Sequence, residues 1–316
     1  MAAIAVLLAA LCLAAAGCGG HAGSSVPDVV VALDFTPNAV HAPLYMAMHD
    51  GFDRGRGVRI RIRTPASQPD ALKLLAAGRI DVGILDIHDL GLARERGRDI
   101  VGIAALVQRP LAALITQPGI RRPRDLAGHL VGVSGLPSDP AFLRAIVEHD
   151  GGDYARIRQA TIGFQAVSAL LTGKVDAVPA FWNAEGVDLR YRGKRINEFR
   201  VEDYGAPPYP EVVLMTTRRE LAAHRTRIER FLAAVKQGVA ATLAHPGVAA
   251  GLIAHAAGAS NVGLIRAQLR AVAPALRPPL RLDRAVLERW ATFDARIGIL
   301  RQRPDVRRTF DFTLAH

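Results

Sequence analysis

Leu33-Asp34-Phe35-Thr36-Pro37-Asn38-Ala39-Val40-His41 follows the apolar run Val29-Val30-Val31-Ala32 and precedes Ala42-Pro43-Leu44-Tyr45-Met46-Ala47-Met48. The β-branched run predicts a buried strand, Pro37 and Asn38 stop it, and a helix begins a few residues on. Open α/β sheets bind ligands outside the carboxyl ends of their strands, so the loop after this strand is a candidate ligand wall. His41 and Tyr45 lie four residues apart and share a helix face, which would let Phe35, Asn38, His41 and Tyr45 line one cleft. Each has a plainer reading: Asn38 as a helix cap, Phe35 as core, His41 as a solvated first-turn residue. Four such residues around one strand end favour a site.

Outward from this unit, residues 58–62 alternate apolar and basic side chains as a half-exposed edge strand does, and 71–77 read as a helix stopped by Gly78. Residues 80–85 are the next buried strand, ending in Asp86-Ile87-His88-Asp89, where a capped helix start is a better reading than a metal site. A helix to about Arg96 and apolar runs at 100–107 and 111–116 complete an alternation that predicts a parallel sheet with right-handed crossovers. The pattern then restarts: a helical turn at 122–128, strands at 130–134 and 175–180, helices at 140–149 and 164–171. Leu74-Leu75-Ala76-Ala77-Gly78-Arg79-Ile80-Asp81 resembles Leu170-Leu171-Thr172-Gly173-Lys174-Val175-Asp176, which fits two similar lobes. After a strand at 212–217, residues 219–316 are helical in pattern, at 225–244, 247–256, 262–273 and 284–300. A chain that builds one lobe, crosses to a second and returns with helices makes a hinged clamp, with crossings expected at 114–117 and 212–216.

The chain has 316 residues, half of them hydrophobic, which suits one large or two medium domains. Its net charge is +11, carried by scattered arginines, since only Lys73, Lys174, Lys194 and Lys236 are lysines. With aromatics at 5% and no basic stripe, this is general surface charge and no nucleic-acid partner is expected. Residues 1–17 are uncharged and too short to span a bilayer, which takes about 20 apolar residues. Ala15-Ala16-Gly17 before Cys18 predicts a lipoprotein signal cleaved ahead of Cys18, with lipid on its sulfur; an ordinary secretory peptide is the alternative. Cys12 and Cys18 are the only cysteines, so the mature domain has no disulfide, thiol nucleophile or cysteine-based zinc site. The expected organisation is a signal peptide (1–17), a lipid-anchored tether (18–27), a first lobe (28–116), a second lobe (117–213) and a return to the first lobe with C-terminal helices (214–316).

Asp34-Phe35-Thr36-Pro37-Asn38 with His41, then Leu75-Ala76-Ala77-Gly78-Arg79-Ile80-Asp81-Val82-Gly83, then Pro123-Arg124-Asp125-Leu126-Ala127-Gly128 together resemble the periplasmic substrate-binding proteins of ABC transporters. More narrowly they resemble the thiamine-pyrimidine-precursor-binding group, which shares its fold with the eukaryotic enzyme that makes that pyrimidine. Asn183-Ala184-Glu185-Gly186 and Asp203-Tyr204-Gly205-Ala206-Pro207 look like that group's second-lobe segments, and Phe35 stands where the group usually has Trp. The resemblance implies an α/β type II clamp and a monomeric, extracytoplasmic receptor that binds a small molecule and docks on a permease and ATPase. It implies no cofactor and no catalysis. A flat aminopyrimidine needs aromatic faces, a carboxylate for its amine and mixed donors and acceptors for its ring nitrogens. Phe35, Tyr45 and Trp182 are candidates to stack, Glu185 and Asp86 to accept, and Asn38, His41 and Asn183 to meet the ring. Trp182 has lobe packing as its alternative, Glu185 a solvated helix carboxylate and Asp86 an N-cap. Ser134-Gly135-Leu136-Pro137-Ser138, between strand and helix, is expected to aim backbone N–H groups at a polar or anionic ligand group. An anion binder should bring an arginine such as Arg109 to the cleft; a pyrimidine binder should bring Glu185. The alternative readings are a binding protein for another small solute, a riboflavin-like heterocycle, an alkylsulfonate or nitrate, and, ranked below it, a pyridoxal-phosphate-dependent pyrimidine synthase.

Overall fold

A computed structural model describes residues 26–64, 68–136, 138–259 and 261–314. The signal and tether, with Cys18, lie outside the described residues. Among the described residues, ten strands form two five-stranded sheets. The first, in order β2-β1-β3-β10-β4, uses β1 (Asp28–Ala32), β2 (Arg59–Arg63), β3 (Val82–Asp86), β4 (Ile100–Ala105) and β10 (Val212–Thr217). The second, in order β7-β6-β8-β5-β9, uses β5 (Ala112–Thr116), β6 (Leu130–Val133), β7 (Arg158–Thr161), β8 (Ala177–Phe181) and β9 (Asn197–Arg200). Within each sheet the βαβ strands run parallel, and the strand next to a crossing, β10 or β5, runs antiparallel to its neighbours.

The two sheets correct the expected crossings. Residues 114–117 do not cross: Leu114 and Ile115 sit inside β5, paired with Pro179 and Val178 of β8. Likewise β10 lies within the first sheet, Leu214 opposite Ile84. The chain crosses one step earlier each time, between β4 and β5 (106–111) and between β9 and β10 (205–211). An apolar strand suits either sheet equally, so its pattern did not say which lobe it joins.

The two halves of the short internal likeness make the same bonds. Asp81 donates its N–H to Val30 O and accepts from Val30 N at 2.7 Å through Oδ2. Asp176 does the same with Leu130, its Oδ2 accepting at 2.9 Å. Gly78 and Gly173 both take left-handed φ, +66° and +71°, to end the preceding helix. Each lobe thus starts its sheet by clamping a strand entry with a carboxylate.

The C-terminal part is helical as expected, with helices at Arg218–Ala244, Pro246–Ala256, Val262–Val272 and Arg284–Ile297. The helix Ala42–His49 packs so closely on Arg218–Ala244 that a Cβ on Gly238 would sit 2.0 Å from Pro43 O. This part also reaches the second lobe: Gln268 Nε2 donates to Ala184 O at 3.2 Å, and Tyr191 Oη to Asn261 Oδ1 at 3.2 Å.

Candidate ligand-binding cleft

The cleft lies between the carboxyl ends of the two sheets, and its walls come from both lobes. From the first lobe, the turn after β1 brings Asp34, Phe35 and Asn38 to it. Asn38 caps the turn Ala39–His41, its Oδ1 accepting from Val40 N at 2.9 Å. Its backbone N–H donates to His41 Nδ1 at 3.2 Å, so His41 carries its proton on Nε2 and donates it to Asp34 Oδ1 at 2.7 Å. His41 is fully buried and does not line the cleft; it holds Asp34, which does. Tyr45 is also absent from the lining and packs against the hydrophobic core. The shared face of His41 and Tyr45 points inward because the helix that follows is pressed against Arg218–Ala244.

From the second lobe come Phe164, Phe181, Asn183 and Glu185. The stretch Trp182–Gly186 is a π-helical turn, which packs Trp182 away from the cleft. Trp182 is buried, its Nε1 donates to Pro110 O at 3.0 Å, and the Arg200 guanidinium lies 4.2 Å over its ring. It packs the lobe against the first crossing and does not stack on the cleft. Glu185 Oε2 accepts from Phe181 N at 3.0 Å, and burial pushes its carboxyl above the usual range. Asn183 is 1% exposed and its Oδ1 has no partner among the described residues. Across the cleft, Phe35 and Phe164 meet edge to face with centroids 4.7 Å apart.

The loop after β6 differs from expectation. Its donors are satisfied from within: Asp139 Oδ2 accepts from Ser134 Oγ at 2.8 Å, Gly135 N at 2.8 Å and Leu136 N at 3.1 Å. A carboxylate of the chain itself occupies the anion position, so Ser134 lines the cleft with its hydroxyl already donated. Arg109 stays out of the lining, paired through two nitrogens with Glu202.

At the floor, Asp86 caps the helix Ile87–Glu95 through His88 N at 2.8 Å, so cap and cleft residue are one. Beside it is Glu211, a residue that no motif in the sequence singles out. Fully buried on the second crossing, its Oε2 accepts from Leu111 N and from Ala112 N at 3.2 Å, tying the two crossings together. Burial pushes Glu211 up to about 7 and Asp86 well above the usual carboxyl range. Among the described lining residues are five carboxylates, Asp34, Asp86, Asp139, Glu185 and Glu211, and no Arg, Lys or His. The net charge of +11 is therefore carried by basic side chains elsewhere than in this lining.

The family model described as NMT1/THI5 like matches residues 38–249. The chain belongs to the NMT1/THI5-like family. Within it, the chain is 34% identical over 219 residues to a formylaminopyrimidine-binding protein of Halalkalibacterium halodurans, covering 67% of this chain and 66% of that one. It is 24% identical to a 4-amino-5-hydroxymethyl-2-methylpyrimidine phosphate synthase of Aspergillus parasiticus, over 66% of this chain and 65% of the enzyme. The matches thus span about two thirds of the length of these relatives. Among solved structures, the periplasmic aliphatic sulphonate binding protein SsuA of Escherichia coli superposes with a TM-score of 0.72 at 17% identity, over 89% of this chain and 91% of that one. This NMT1/THI5-like chain therefore has the α/β two-lobed fold of the periplasmic binding proteins, with two crossings and a helical C-terminal part.

Proposed function

We propose that the chain is the extracytoplasmic solute-binding receptor of an ABC importer and captures a thiamine pyrimidine precursor, a formylaminopyrimidine or hydroxymethylpyrimidine, between its lobes. The observation that carries this reading is the cleft's inventory: aromatic faces, five carboxylates and no basic side chain among the described lining residues. An aminopyrimidine presents a donating exocyclic amine on a flat ring. Glu185 and the unpartnered Asn183 Oδ1 accept from that amine, Phe35 and Phe181 supply ring faces, and Asn38 keeps an amide hydrogen for a ring nitrogen. The 34% identical relative is named for formylaminopyrimidine binding, which supports the same class.

The alternatives have less behind them. A sulfonate or nitrate needs a cationic or N–H-lined pocket, whereas Asp139 already takes the loop's donors and Arg109 is held by Glu202. A pyridoxal-phosphate synthase needs a lysine beside its cofactor, and none of the chain's four lysines lines the cleft. The receptor acts as a monomer without turnover, its closed form docks on a permease driven by an ATPase, and lipid on Cys18 tethers it to the membrane.

Thermal-shift screening against aminopyrimidines, thiamine, riboflavin, taurine, nitrate and pyridoxal phosphate, followed by calorimetry, tests this. A ligand at a hundred times its Kd should stabilise the fold by about 2.7 kcal/mol. A selective pyrimidine response lost in Glu185→Ala supports the reading. A response only to taurine or nitrate overturns the ligand, and turnover of the bound pyrimidine overturns the receptor.

A further inference from the structure

At and beneath the cleft floor is a group of polar side chains centred on His88, of which Asp86 and Glu211 also line the cleft. His88, 1% exposed, sits between carboxylates from three distant parts of the chain. Its Nδ1 contacts Asp294 Oδ2 at 2.6 Å, while its Nε2 lies 3.7 Å from Asp86 Oδ1 and 3.9 Å from Glu211 Oε1. The short contact to Asp294, and not the 3.5 Å approach of Trp290 Nε1 to the same Nδ1, shows that Nδ1 donates its N–H. Nε2 faces the two carboxylates; against the opposing effect of burial, Asp294 and Asp86 push His88 up to about 9, so a metal ion bound at Nε2 would take the place of a proton.

Among the described residues, no group lies within hydrogen-bond distance of Nε2. His88 Nε2 and Glu211 Oε1 are buried without a hydrogen-bond partner, as is the hydroxyl of Tyr209, whose ring stands edge to face with His88 at 5.3 Å. Buried polar atoms are nearly always partnered, so two facing orphans in one cluster call for an occupant. Charge points the same way. Among the described ion pairs, His88 is the one base that meets Asp86, Glu211 and Asp294, and no arginine or lysine reaches these three carboxylates. Buried carboxylates in excess of cations either hold protons or take up a cation.

We propose that Asp86 Oδ1, His88 Nε2 and Glu211 Oε1 bind a divalent first-row transition metal ion, zinc fitting best, with Asp294 orienting the histidine. The three ligand atoms lie within 4.8 Å of one another. Tetrahedral zinc with bonds of about 2.0–2.2 Å sets its ligand atoms roughly 3.3–3.6 Å apart, so the two carboxylate oxygens at 3.7 and 3.9 Å from His88 Nε2 need to approach it by only a few tenths of an ångström. A carboxylate on the far nitrogen of a ligating histidine is the usual outer support of such a centre, and Asp294 supplies it. One imidazole and two carboxylates without thiolate suit zinc better than magnesium or calcium, which favour all-oxygen sets. Asp86 and Glu211 also line the cleft, so the fourth coordination position faces the solute space. Glu211 in addition bonds both crossings, which places the ion at the pivot of the clamp. The site stands whichever solute the cleft takes, because it is read without one.

The test uses the full chain stripped with chelator, then dialysed against zinc with no organic solute and analysed for metal, and in parallel titrated with cobalt(II). The expected result is one equivalent bound at neutral pH with a Kd in the micromolar range or tighter, and an intense visible spectrum of low-coordinate cobalt. Glu211→Gln and Asp86→Asn should each weaken zinc at least tenfold, and His88→Asn should abolish the cobalt spectrum. His49→Ala, on an exposed surface pair with Asp50, should change neither. Glu211→Gln is nearly isosteric and keeps an oxygen for Leu111 N, so it decides the matter even if His88→Asn does not fold. No stoichiometric zinc, binding indifferent to Glu211→Gln and Asp86→Asn, or a preference for magnesium would each overturn the proposal.

Discussion

Phe35 and Phe164 belong to different lobes, yet their rings touch edge to face at 4.7 Å and 82°. Phe164 is 53% exposed and follows Gly163, whose φ of +58° turns the chain toward the cleft. The pair therefore closes the outer edge of the cleft. An aromatic contact of this kind contributes about 0.5–1.5 kcal/mol beyond area burial, roughly two- to tenfold in affinity. Phe35→Ala and Phe164→Ala should each weaken pyrimidine binding by that factor, chiefly through faster dissociation, while Phe35→Trp should preserve it. Stopped-flow release rates would show this, and unchanged rates in both alanine variants would remove the pair from the ligand's path.

Glu185 sets stability against binding. Burial holds its carboxyl above the usual range, so the folded state binds that proton more tightly than the unfolded chain does. The stability gained is present below the unfolded carboxyl range, near pH 4, and is lost as pH rises through the folded value. Once pH exceeds that folded value, the ionised group is a cost to the empty receptor. Glu185→Gln, which keeps an oxygen for Phe181 N, should therefore raise Tm at pH 7 and leave it unchanged near pH 4. Ligand affinity should fall tenfold or more, since a charged acceptor is worth about 1.5–3 kcal/mol. Melting curves across pH and calorimetry at pH 7 separate the two effects.

Asp139 is the reason to expect no response to sulfonates. Its carboxylate takes three donors of the β6 loop while only 7% exposed. Asp139→Ala leaves these donors facing the cleft without an acceptor, which should destabilise the fold by about 1–3 kcal/mol. It should also create what the native loop lacks, an anion site. Sulfate should raise the Tm of Asp139→Ala more than that of the unaltered protein, and equal responses in both would show that the loop is not an anion cradle.

Much of this architecture is legible in the sequence, and the omissions share a cause. The buried strands announce themselves by β-branched runs, but β7 and β9 do not: Arg158-Gln159-Ala160-Thr161 and Asn197-Glu198-Phe199-Arg200 are polar edges of the second sheet, ordered by their neighbours. In the cleft, Phe35, Asn38, Asp86, Ser134, Asn183 and Glu185 stand where local reasoning puts them, at strand ends and helix starts. His41, Tyr45 and Trp182 do not, because the partner that decides which way a helix face turns is far away in sequence. Glu211 was invisible for the same reason, its acceptors' partners being about a hundred residues back.

The matched pair Asp81 and Asp176 is the place where a sequence likeness became identical bonding, and it gives a graded prediction. Both carboxylates accept from a backbone N–H of an inner strand, Val30 in β1 and Leu130 in β6. Asp81 is the less exposed, at 18% against 38%, and Arg227 Nη2 also binds its Oδ1 at 2.9 Å. Its replacement leaves a strand N–H unanswered and takes from the Arg227 guanidinium one of its two carboxylate partners, Glu220 being the other, whereas the more exposed Asp176 pairs with His129 at 3.2 Å. Asp81→Ala should cost about 2–3 kcal/mol and Asp176→Ala about 1 kcal/mol or less. Urea denaturation read by tryptophan fluorescence would rank them. Equal costs would mean that the strand N–H alone sets the penalty and that Arg227 adds nothing to the first lobe.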